Sequence, residues 1–128
     1  MLLAIVAISL GAMLGALARW GLGLWLNPLF PYLPLGTLAA NLSGGYFIGL
    51  ALAFFSANTS WPPEWRLFIV TGFLGGLTTF STFSAEVVGM LMKEQFGLGL
   101  LTALVHMLGS FVMTAAGIYT IHLLTRSS

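Results

Sequence analysis

The chain has no cysteine among its 128 residues. That absence removes disulfides, thiol nucleophiles and zinc–thiolate sites together, and it leaves the redox compartment unmarked. Charge is nearly as scarce. Four Lys or Arg and three Asp or Glu make up 5% of the residues, where soluble domains carry about 25%. A net charge of +1 offers no basic face to nucleic acid. No nucleophile, base and orienting group stand at a recognisable spacing, which makes an enzyme the least favoured class. What is present is apolar surface: 59% of the residues are hydrophobic and the mean hydropathy is +1.02. Such a composition belongs to an integral membrane protein.

A bilayer span needs about 20 mostly apolar residues. Four stretches qualify: Leu2–Leu26, Leu35–Ala57, residues 67–92 and residues 98–124. The first is too long for a signal-peptide core and is expected to remain as a span. The connections hold the breakers: Asn27, Pro28, Pro31 and Pro34, then residues 58–63, then Lys93, Glu94 and Gly97. They are too short for a separate soluble domain. The expected fold is therefore an all-α membrane protein, with one four-helix transmembrane domain over residues 1–128 and no internal repeat.

Four spans put both termini and the second connection on one side of the membrane. Arg66 and Arg126 then face Arg19 and Lys93 across the bilayer, two against two. Without a Lys/Arg bias little fixes the orientation, so the chain is expected to insert both ways and pair antiparallel. A fixed orientation set by subtler cues is the alternative.

The most unusual stretch is GFLGGLTTFSTFSAE, residues 72–86. It sits inside the third span yet holds three glycines, five hydroxyls (Thr78, Thr79, Ser81, Thr82 and Ser84) and the carboxylate of Glu86. Unsatisfied polar groups in hydrocarbon cost several kcal/mol each, so this run faces protein, water or an ion. Gly75 and Gly76 lower helix propensity by about 1 kcal/mol each, and the adjacent hydroxyls compete for backbone groups. A break near the middle of the third helix is expected, and its freed carbonyls would suit a hard cation where two antiparallel chains cross. Phe80 and Phe83 lie three apart with Glu86 three further on. Such phenylalanines pack or face lipid in most spans. Their electropositive ring edges can also stabilise a small anion while excluding water.

Other spans supply polar groups at helical spacing. Thr37 and Asn41 share a face of the second span, and His106, Ser110 and Thr114 form a stripe along the fourth. Each can be interhelical glue, or together they can line a path. His122 sits near the span exit and reads as interfacial. Arg19, the only charge in the first span, either snorkels to the interface or holds an anion or a loop carbonyl at a vestibule. The pairs Gly11/Gly15 and Gly45/Gly49 have the spacing that lets helices approach closely in lipid.

At these residues the sequence resembles the Fluc, or CrcB, family of fluoride channels. The run at 72–86 is the most specific piece, supported by GTLAANLSGGYFIG in the second span and GAMLGALARW in the first. The chain departs from the family pattern at Ala12, where glycine is usual, at Trp20, where tyrosine is usual, and at His106, where tyrosine can occur. The resemblance implies an antiparallel dual-topology homodimer in the cell inner (plasma) membrane, with two fluoride pores and passive electrodiffusive export. It implies Phe80 and Phe83 as pore rings, and Asn41, Ser81, Thr82, Ser110 and Thr114 as polar groups on the path. Arg19 and His106 would stand at a vestibule, and Gly75 and Thr78 would offer backbone carbonyls to a central structural sodium ion. Glu86 receives no ligand role. Two rival classes remain: a proton-coupled exporter of the four-helix kind, for which Glu86 is the only candidate carboxylate, and a structural membrane adaptor.

Overall fold

The computed structural model describes all 128 residues and contains helices and no strands. Four helical stretches are long and apolar enough to cross a membrane: Leu2–Leu29, Leu35–Ala57, Pro63–Met92 and Phe96–Arg126. The third begins at Pro63, earlier than hydropathy alone predicts. Pro62 is extended, and Pro63 occupies the first helical turn, where its missing N–H is no loss. Leu67–Leu74 then winds as a wide π-helix before Gly75–Leu77 tightens to α. At Thr78 (φ −84°, ψ 153°) and Thr79 (φ −150°, ψ 117°) the backbone is extended, and Phe80–Met92 resumes the helix.

The second and fourth spans pack along their length, and the first packs against Leu67–Leu77 of the third. Glycines set both contacts. A methyl group at Gly15 would strike the carbonyl oxygen of Phe73, and one at Gly49 the carbonyl oxygen of Thr114. Gly117 answers Gly49 from the facing helix, where a methyl would meet the carbonyl of Tyr46. The obstructing atoms are backbone, so no side chain can swing aside. Gly49→Val is accordingly expected to destabilise the fold by about 1–3 kcal/mol, the usual cost of overpacking. Thermal unfolding in detergent checks this, and an unchanged midpoint would show that the two helices can separate without loss.

Small residues thus bring the second span onto the fourth and the first onto the third. The second half of the third span leans on the fourth. Between them and the second span lies the cluster of polar groups.

Candidate functional site

Extended backbone at Thr79 leaves its N–H and C=O without helical partners, and one side chain meets both. Asn41 Oδ1 accepts from the Thr79 N–H at 2.8 Å, while Asn41 Nδ2 donates to the Thr79 carbonyl at 3.0 Å. Thr79 in turn caps the following helix, its Oγ1 accepting from the Thr82 N–H at 3.1 Å. Thr79→Ala is therefore expected to cost about 1 kcal/mol, the typical value of an N-cap, read as a lower unfolding midpoint. No shift would mean that water or another donor replaces the cap.

These two bonds divert the i+4 donors that an unbroken helix would bring to the carbonyls of Gly75 and Thr78. Both oxygens are left without those donors at the end of the first half-helix. A third carbonyl in the same turn, Gly76, accepts from Arg19 Nε at 3.1 Å. Arg19 thus holds a carbonyl at a helix C-terminus, where a cation also suits the helix dipole.

The groove at the break has a volume of about 480 Å³ and is lined by Asn41, Thr79, Phe80, Phe83, His106 and Ser110 among others. Phe80 and Phe83 meet edge to face, with centroids 5.5 Å apart and planes at 80°. Their surroundings differ: Phe83 is only 6% exposed, whereas Phe80 is 75% exposed in the isolated chain. His106, expected at a vestibule, is buried at 3% exposure, stacked on Phe83 at 4.4 Å, with Nδ1 3.0 Å from Asn41 Nδ2. Gly75 and Thr78 also line the groove, while Ser81, Thr82, Thr114 and Arg19 lie outside its lining. Ser81 Oγ is 3.4 Å from Thr79 Oγ1, and Thr114 sits beside Gly45 and Gly49 further along the fourth span.

Two features escaped the sequence reading. Thr79 was one of five hydroxyls with no distinguishing role, although a Thr directly before a helical run is an N-cap signal. Glu86 was left without a place. It now pairs with the second span, where Thr37 Oγ1 donates to Glu86 Oε2 at 2.9 Å. Thr37 and Asn41 therefore reach the third span one helical turn apart, one through a carboxylate and one through backbone.

Residues 6–118 match the profile of the family described as "CrcB-like protein, Camphor Resistance (CrcB)". The chain belongs to the CrcB family. Relatives of similar length carry the name fluoride-specific ion channel FluC. The protein from Thiobacillus denitrificans is 58% identical over 121 residues, covering 94% of this chain and 98% of the relative. That from Albidiferax ferrireducens is 60% identical over 120 residues, covering 94% and 92%. That from Tolumonas auensis is 58% identical over 127 residues, covering 99% and 100%. The CrcB match runs through all four apolar helices, and the chain is a multi-pass membrane protein.

Proposed function

We propose that the chain is a fluoride channel that carries the ion passively across the cell inner membrane. The observation that carries this reading is the groove at the break: the paired rings of Phe80 and Phe83, the amide of Asn41, the imidazole of His106 and the hydroxyl residues Thr78, Thr79 and Ser110 come together from three spans, with no Lys or Arg among the lining residues. Removing a carboxylate-sized ion from water into a low-dielectric medium costs on the order of 20 kcal/mol by the Born estimate. Neutral donors and ring edges can offset that cost in stages, and their lack of charge keeps the ion free to leave. The Phe80–Met92 half-helix adds the positive end of its dipole at the same place. Nearly full-length similarity to relatives named as fluoride channels supports the same conclusion.

The functional unit is an antiparallel homodimer with two pores. Phe80 and Gly75 are both exposed at the break in the single chain, and a second copy crossing there would cover them. The carbonyls of Gly75 and Thr78 fit a sodium ion at that crossing, because their helical donors are diverted and carbonyl oxygen suits a hard cation. Such an ion would neutralise the carbonyl dipoles and hold the two chains together. The even division of Lys and Arg supports insertion in both orientations. C-terminal reporters active on only one side of the membrane would contradict it. Conduction is tested by efflux of fluoride and of chloride from liposomes that contain only this chain. Rapid fluoride release with chloride retained is expected, and retention of both would overturn the reading.

A further inference from the structure

His106 Nε2 is buried and has no hydrogen-bond partner, and only Glu86 Oε1 shares that condition among the buried side-chain atoms. The proton state of this nitrogen follows from Asn41. Thr79 N–H can only donate, so the Asn41 atom that receives it is the amide oxygen; Thr79 C=O can only accept, so the atom beside it is the amide nitrogen. The amide cannot be turned over without breaking both bonds. The atom 3.0 Å from His106 Nδ1 is therefore an N–H donor, and Nδ1 must accept. Neutral imidazole carries one proton, which then sits on Nε2. The unpartnered atom is a donor.

Buried donors rarely stay unpaired, so Nε2–H requires an acceptor. Glu86 Oε1 would serve if it were in reach, but it is itself unpaired, which places the two beyond hydrogen-bond contact. The neighbouring ring indicates what else fits. His106 and Phe83 stack within 22° of parallel at 4.4 Å, and both residues line the groove. An N–H donor alongside an electropositive ring edge makes a neutral site for a small anion. Ser110, one helical turn along the same face and in the same groove, offers the next hydroxyl.

We infer that His106 is held by Asn41 as the Nε2–H tautomer and that this N–H is a direct donor to the permeating anion, stacked with Phe83 as one selecting unit. The inference deepens the channel reading and rests on it for the identity of the anion, fluoride. Histidine-labelled protein in lipid nanodiscs, examined by nitrogen NMR at about pH 8, above the ordinary imidazole range, tests it. The expected spectrum for His106 has a protonated Nε2 and an unprotonated Nδ1, and the Nε2 resonance moves saturably with sodium fluoride but not with sodium chloride. Exposed His122 serves as the internal reference. A protonated Nδ1 overturns the inference, as does an Nε2 signal indifferent to fluoride. So does an Nε2 signal that shifts in E86Q without fluoride, which would make Glu86 the acceptor.

Flux separates this inference from the channel reading. His106→Phe keeps a ring on Phe83 but has no N–H, and fluoride efflux is expected to fall at least tenfold, with partial recovery in His106→Gln, whose amide restores a donor. If wild-type liposomes retain fluoride, the channel reading fails. If wild type and His106→Phe release it equally, only the role of His106 fails.

Discussion

Asn41→Ala is expected to lower the unfolding midpoint and to reduce fluoride efflux at least tenfold. Interhelical side-chain hydrogen bonds in membranes average only about 0.6 kcal/mol, because the unfolded chain in lipid finds other partners. Asn41 is a different case. Its amide is the partner of both backbone groups of Thr79, which is buried at the break. Removing it leaves an N–H and a C=O unsatisfied at about 1–3 kcal/mol each, so a total loss of roughly 2–6 kcal/mol is expected. It also frees His106 to turn, since its Nδ1 loses the donor that orients it. Asn41→Asp sharpens the test. The carboxylate can still accept from the Thr79 N–H, yet it repels the Thr79 carbonyl and any anion in the groove. Its efflux is expected to be as low as that of Asn41→Ala. Wild-type efflux in both variants would remove Asn41 from the path.

Phe83→Ile is expected to reduce fluoride efflux at least tenfold with a smaller effect on stability. Isoleucine keeps the site apolar and fills most of the volume, so the packing loss is about 1 kcal/mol. It offers no ring edge, loses the stack on His106 and loses the edge-to-face contact with Phe80. Phe80→Ile is expected to impair efflux too. Because Phe80 is mostly exposed in the single chain, its substitution should leave the monomer's unfolding unchanged. Efflux at the wild-type rate in both variants, with dimer formation intact, would take the rings out of the mechanism.

The apolar helices were legible in the sequence because a span is a one-dimensional property: about 20 apolar residues are enough to announce it. Gly15 and Gly49 were legible for a similar reason, since a glycine repeated every four residues in an apolar helix has few uses other than close packing. The polar cluster was only half legible. Asn41, Phe83 and Ser110 could be nominated, but the stripe of His106, Ser110 and Thr114 does not reveal its depth against neighbouring helices. That register is set by backbone contacts such as Gly49 on Thr114 and Gly117 on Tyr46. It brings His106 against Phe83 and leaves Thr114 beyond the groove lining. Thr79 was hidden for another reason. Among five hydroxyl residues within seven positions, only the extended backbone decides whose N–H and C=O Asn41 can reach. Glu86 needed the same register, because Thr37 finds it only when the second span lies along the Phe80–Met92 helix.

Fluoride-selective, passive conduction is tested most directly by the reversal potential of current through the purified chain in a planar bilayer, with a fluoride gradient and equal chloride on both sides. The reversal potential is expected to follow fluoride, at about 59 mV for each tenfold gradient of a univalent ion. A potential that stays at zero, or a membrane that carries no current, would contradict the account.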